Sequence, residues 1–202
     1  MGKGDKTRQA ILQKVAILFN QKGYAATSMQ DITHVTGIQR GGIYNHFTSK
    51  EALAVETFEY ACSVLGTRLM QGVNAEVTAL GQLKAIATTF ADLYIQNPLF
   101  PCGCQVLNTA VEAKRHMLPL RQKAQEAMTK LQNLIIEKTR EAIEQGELPD
   151  SINIDALAAI FVSTLEGAMV LSVLYDDSAY LRHAVTHLHG HLDSLRASSF
   201  IE

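Results

Sequence analysis

The chain has 202 residues, 47% apolar and 19% charged, with a formal net charge of −2. That is enough apolar material for a buried core and too much for a disordered chain. Thirteen glycines and four prolines exclude a collagenous or low-complexity polymer, and three cysteines exclude a disulfide framework. The start, Met1-Gly2-Lys3-Gly4-Asp5-Lys6, lacks the apolar centre of a signal peptide, and no apolar run is expected to approach the roughly 18–20 residues that span a bilayer. A cytoplasmic protein with no membrane partner is therefore expected.

Helical periodicity runs through nearly the whole chain. Ile11, Val15, Leu18 and Phe19 share one face of a first helix that stops near Lys22-Gly23, a basic last turn followed by glycine. Thr27-x-x-Gln30 has the form of a capping box and opens a second, short helix, which Gly37 interrupts. A third short helix is predicted from Gln39 to about Phe47. Thr48-x-x-Glu51 then offers another capping box for a long helix, whose stripe Val55, Phe58, Cys62, Leu65 and Leu69 has the spacing of a packed seam, with Cys62 in it. Leu83, Ala87, Phe90 and Tyr94 mark a helix ending before Asn97-Pro98, and a short apolar stretch runs from Gln105 to Ala113. Leu120, Ala124, Ala127, Leu131 and Leu134 define an amphipathic helix reaching Gln145-Gly146. Residues 154–174 are apolar almost all round, which predicts burial on several sides. A last helix carries Leu181, Ala184 or Val185, Leu188, Leu192 and Leu195. No alternating strand pattern appears, so the expected fold is all-α with about nine helices.

Charge is unevenly distributed. Residues 1–50 hold seven basic and two acidic side chains, or +5, and the remaining residues hold eleven and eighteen, or −7. A basic head on an acidic body suits a polyanion-binding module. Within that head, two short helices joined by a turn at Gly37 have the form of a helix-turn-helix, whose second helix enters a DNA major groove. Ile32, Val35, Ile38 and Ile43 supply its small core, and Gln39 to His46 form the recognition helix. The adjacent Gly41 and Gly42 each cost a helix about 1 kcal/mol relative to alanine. Close approach of the backbone to DNA explains why a recognition helix would carry them.

The strings Thr27-Ser28-Met29-Gln30-Asp31-Ile32, Gly37-Ile38, Gly41-Gly42-Ile43-Tyr44-Asn45-His46-Phe47 and Ser49-Lys50-Glu51-Ala52-Leu53 resemble the DNA-binding domain of the tetracycline-repressor (TetR/AcrR) family. The likeness covers roughly residues 5–60. Thr33 departs from it, standing where the family usually has alanine; its hydroxyl is expected to bond back to a carbonyl one turn earlier. The resemblance implies a helix-turn-helix DNA-binding domain over residues 1–50 and a helical ligand-binding and dimerisation domain over residues 51–202. It implies a homodimeric transcriptional regulator, usually a repressor, released from a palindromic double-stranded DNA operator by a small-molecule effector. On that resemblance no enzymatic activity, no cofactor and no metal are expected.

By the same resemblance Thr27, Tyr44, His46 and Lys50 contact phosphates, and Lys50 also lies in a first helical turn that favours an anion. Base reading falls to Gln39, Arg40 and Asn45, whose side chains pair with base edges. Phe47 is read as core. The two terminal helices either bury themselves within one chain or pair with their copies across a two-fold axis. The dimer reading assigns Phe161, Leu165, Ala168, Leu181, Val185, Leu188, Leu192 and Leu195 to the interface. Candidates for an effector pocket are Phe90, Tyr94, Phe100, Met117, Phe161, Glu166 and Met169, each of which also suits plain core; Arg182 is a candidate partner for Glu166. Cys102-Gly103-Cys104 opens a short helix, where thiolates gain reactivity, so sensing of electrophiles or oxidants is an alternative. A thiol enzyme using His116 as base is a second alternative, but no nucleophile–base–orienter set is visible. His183, His187 and His191 recur every four residues and are read as a solvent-facing or dimer-rim stripe.

Overall fold

The computed structural model describes residues 2–96, 100–113 and 117–196. Among them the chain forms α1 (Lys3–Lys22), α2 (Met29–Thr36), α3 (Arg40–Tyr44), α4 (Lys50–Val73), α5 (Ala79–Ile95), α6 (Gln105–Glu112), α7 (Leu118–Glu144), α8 (Ile154–Tyr175) and α9 (Ala179–Ser194), with no strand. The all-α fold is as expected. The break at Asn97-Pro98 and the candidate base His116 lie outside the described residues.

Packing divides the chain into two compact units, Met1–Leu65 with Leu99–Ala127, and Gly66–Pro98 with Met128–Glu202. This packing division differs from the functional boundary expected after residue 50. The head helices share a unit with α6 and the first turns of α7.

In the first unit α1 packs on α2 and α2 on α3. Ile11, Val15, Phe19, Ile32, Ile43, Phe47, Leu53 and Phe58 form one buried cluster, on which Ile38 and Cys62 are only half-buried. Ends are set by local chemistry. α1 stops at Gly23, at φ 79°, and α2 at Gly37, at φ 73°, both in a region that favours glycine. Each cap moves one residue on from its expected place, and only the first is a reciprocal box, since Ala52 has no side-chain acceptor. Ser28 caps α2, accepting the Asp31 N–H at 3.1 Å while Asp31 accepts the Ser28 N–H at 2.7 Å. Ser49 Oγ accepts the Ala52 N–H at 3.0 Å at the start of α4. Thr27 stands one residue before the cap, buried, with its hydroxyl turned back to donate to the Gly23 carbonyl at 2.6 Å. Thr33 behaves as expected, donating to the Gln30 carbonyl at 2.9 Å.

In the second unit α5 packs against α8 and α9, which also pack on each other. One face of α8 is buried, including Leu157, Phe161, Val162, Leu165 and Met169, as are Leu181, Ala184, Leu188 and Leu192 of α9. Burial on several sides was expected of α8. Instead its other face is exposed and still apolar, with Ile160 57% exposed, Leu174 67% exposed, and Val170, Leu171 and Tyr175 also in water. This corrects the expected interface. Phe161 and Leu165 are 0% exposed, and Ala168, Leu181, Leu188 and Leu192 are likewise inside the chain, while Val185 and Leu195 are half-buried. The six buried ones are taken up by packing within the chain and leave little surface for a second molecule, whereas Val185 and Leu195 keep part of theirs. α8 also overturns the expectation about apolar runs, since by length and composition its 22 residues could cross a membrane. One such helix is weak evidence for a membrane, because a core helix passes the same test.

Candidate nucleic-acid interface

The head uses several of its cations internally. Lys14 Nζ donates to the last carbonyl of α2, at Thr36, at 3.4 Å. Lys22 pairs with Asp31 at 2.7 Å, and Arg8 pairs with Glu56 while lying 5.1 Å from the Phe47 ring centre. Hydrogen bonds from Lys22 and then Ser28 hold the Asp31 carboxyl well below the usual carboxylate range.

The outer surface of α3 is different. Gln39, Arg40, Tyr44 and Asn45 are all exposed, and the Arg40 guanidinium lies 5.5 Å from the Tyr44 ring centre. None of these side chains is drawn into the core, so a face carrying amide, guanidinium and phenol groups stays open to a partner. α3 is shorter than predicted, ending at Tyr44, with the Asn45 N–H closing onto the Gly41 carbonyl at 3.0 Å. Two consecutive glycines weaken a helix, which fits that brevity. They are not equivalent. A Cβ on Gly42 would stand 2.8 Å from Ile38 Cγ2, whereas one on Gly41 would meet nothing within 4 Å. Packing therefore accounts for Gly42, and nothing among the described residues accounts for Gly41.

The expected phosphate contacts fare unequally. Tyr44 is exposed, and His46 is half-buried with its ring 6.3 Å from that of Phe47. Thr27 requires correction. It is 1% exposed, its hydroxyl is spent on Gly23, and its N–H reaches the Tyr24 carbonyl at 3.3 Å, so it presents no donor to a phosphate. Lys50 is half-buried, donating to the Tyr24 carbonyl at 2.8 Å with its ammonium 4.3 Å from the Tyr24 ring centre. Burial lowers its affinity for a proton, against the opposing pull of Glu112 and Asp31. Burial also raises the Tyr24 phenol, helped by Glu51 and Glu112. Sequence reasoning missed Tyr24 and Glu112. It also missed an open groove along α2 lined by Gln30, Thr33, His34 and Gln39. The Ser28-x-x-Asp31 pairing was readable as a capping box; Glu112, 88 residues from Tyr24, had no local signal.

The pocket candidates fall in both units. Phe90, Phe161, Glu166 and Met169 are buried and Tyr94 half-buried in the second, where the Phe90 and Tyr94 ring centres stand 5.3 Å apart. Arg182 donates to Ser178 Oγ at 2.5 Å. Phe100 is core of the first unit, packed with Ala16 and Ala61. A cavity of about 270 Å³ in that unit is lined by Phe19, Tyr24, Phe58, Asn108, Glu112 and Met117 among others, and Met117 is the only one of the seven candidates in its wall. Cys104 is buried and caps α6, its sulfur accepting the Leu107 N–H at 3.5 Å, and Cys102 is half-buried. His183, His187 and His191 are exposed, the last two with rings stacked 6.4 Å apart.

Comparison with known proteins agrees with this arrangement. Residues 11–57 match the family described as bacterial regulatory proteins, tetR family, and residues 79–188 match the tetracyclin repressor-like C-terminal domain. A TetR transcriptional regulator from Chloroflexus aurantiacus is 33% identical with a TM-score of 0.92, covering 97% of this chain and 98% of its own. A TetR-family regulator from Cytophaga hutchinsonii is 29% identical with a TM-score of 0.89, covering 98% and 99%. The HTH-type transcriptional repressor DhaR of Mycobacterium sp. strain GP1 is 25% identical over 81% of this chain and 80% of its own length. With an exposed helix-turn-helix face and both halves of the chain matched, the protein belongs to the TetR family of DNA-binding transcriptional regulators.

Proposed function

We propose that the protein is a homodimeric, cytoplasmic repressor that reads a palindromic operator with α3 and releases it when a small molecule binds in the helical body. In this reading residues 1–50 are the DNA-binding domain and residues 51–202 bind effector and partner chain. Gln39, Arg40 and Asn45 read base edges, while Tyr44, His46 and Lys50 meet phosphates and fix register. The observation that carries it is the open polar face of α3 beside Gly41, whose missing Cβ makes room for nothing among the described residues. Dimerisation is supported by the exposed apolar face of α8, at Ile160, Val170, Leu171 and Leu174. A water-exposed helix face of that composition is the kind of surface a second chain covers. Two chains then present two recognition helices to half-sites one helical turn apart.

Footprinting on the DNA upstream of the protein's own gene, with salt varied, tests this. The expected result is a two-fold symmetric protected site whose affinity falls steeply with salt. An unsymmetrical footprint the length of one half-site would contradict the dimeric reading.

A further inference from the structure

We infer that Glu112, at the end of α6, is a positioning residue for DNA binding: it fixes the loop between α1 and α2, and through that loop Lys50. The Glu112 carboxylate accepts the Tyr24 N–H at 3.0 Å and the Ala25 N–H at 2.7 Å. On the other side of the same residue, the Tyr24 carbonyl accepts the Lys50 ammonium at 2.8 Å. Tyr24 is thus held between a carboxylate from α6 and a cation from the first turn of α4. Gly23 makes the seat possible, because any Cβ there would stand 3.0 Å from Glu112 Oε1 on a backbone already at φ 79°. The Gly23 carbonyl in turn holds Thr27, directly before the cap of α2.

A second tie joins the same two pieces. Asn20, near the end of α1, accepts the Cys102 N–H at 2.9 Å and donates to the Gly103 carbonyl at 3.0 Å and to Gln105 Oε1 at 3.1 Å. Both ends of α6 are therefore registered to the end of α1, and a shift of α6 along α1 breaks directional bonds rather than sliding over apolar contacts. Charge-assisted bonds from a carboxylate to two amides are strong and geometrically exacting. The consequence is that the stance of Lys50 and of the start of α2 depends on a side chain that itself touches no DNA.

The inference rests on the DNA-binding reading, which the unmodified protein tests separately in the same titration. The experiment compares operator affinity, salt slope and thermal midpoint for the full-length chain, Glu112→Ala, Glu112→Gln, Lys50→Ala and the double variant Glu112→Ala/Lys50→Ala. Glu112→Ala is expected to weaken binding about ten-fold on every DNA sequence and to flatten the salt slope by up to about one phosphate's worth. Glu112→Gln keeps one acceptor oxygen and recovers most of the affinity. Because both residues act on Tyr24, Glu112→Ala costs less affinity when Lys50 is already alanine. Unchanged operator affinity and salt slope in Glu112→Gln and Glu112→Ala, or strictly additive losses in the double variant, overturn the inference. So does a lowered thermal midpoint with no loss of affinity, the result of a purely structural role. Should Glu112→Ala not fold, the glutamine variant decides alone: a loss of about three-fold on all sequences supports the inference, and wild-type affinity with a wild-type salt slope overturns it.

Discussion

α3 and α8 both leave a face in water, and the two faces are chemically opposite. On α3 the exposed side chains are Gln39, Arg40, Tyr44 and Asn45, which hydrogen-bond to water without penalty. On α8 they are Ile160, Val170, Leu171 and Leu174, which gain free energy when water is removed. A polar face waits for a partner and can give it up again; an apolar face on a 22-residue helix calls for lasting cover. The contrast suits the proposed dimer, which would exchange DNA while keeping its partner chain.

The largest expected effect breaks the apolar side of that contrast. Leu171→Asp, or Leu174→Asp, puts a charge into the exposed apolar face of α8 and, on the proposed dimer, should yield monomers. Operator affinity should fall by about 100-fold or more, since the second half-site contact is lost. Sedimentation alongside a binding titration checks both, and an undiminished dimer would remove α8 as the interface. Next, Arg40→Ala should cost about ten-fold or more and relax preference at one operator position, read by titrating base-substituted operators. A loss shared equally by all sequences would make Arg40 a phosphate contact instead.

Smaller effects separate the two glycines of α3. Gly42→Ala forces a Cβ towards the stiff β-branched Ile38 and should destabilise the chain by roughly 1–3 kcal/mol. Gly41→Ala meets no obstruction among the described residues and should stabilise α3 by up to about 1 kcal/mol while weakening DNA binding. Thermal melting and operator titration of both variants check this, and wild-type DNA affinity in Gly41→Ala would dismiss close backbone approach. The smallest effect concerns acid. The Asp31 carboxyl, depressed in the folded state by Lys22 and Ser28, stabilises the fold above its unfolded value of about 4, and that contribution is lost as pH falls below it. Asp31→Asn should be a little less stable at neutral pH and should lose less stability on acidification than the parent, as melting across pH will show.

Local rules served well wherever the cause was local. Lys22-Gly23 and Gly37 end helices where a positive φ is needed, and the apolar spacing located Ile11, Val15 and Phe19 in the core. The capping residues slipped by one because Thr27 and Ser28 are chemically alike; the Thr27 side chain turns back into the buried turn towards the Gly23 carbonyl, while that of Ser28 faces the first turn of α2. Periodicity could not say which face of α8 turns inward, since both faces are apolar; α8 packs on α5 and α9, Phe161 and Leu165 are buried, and Ile160 and Leu174 are exposed. The family motif pointed to Thr27 as a phosphate contact, but burial removes it. Glu112 was invisible for another reason, because its bonds to Tyr24 and Ala25 join segments 88 and 87 residues apart.

The most direct test is the number of chains on one operator duplex, measured by sedimentation of the purified protein with and without DNA. The account predicts a dimer in both cases, with two chains on each duplex and both half-sites protected together. A monomer that occupies the two half-sites independently would contradict it.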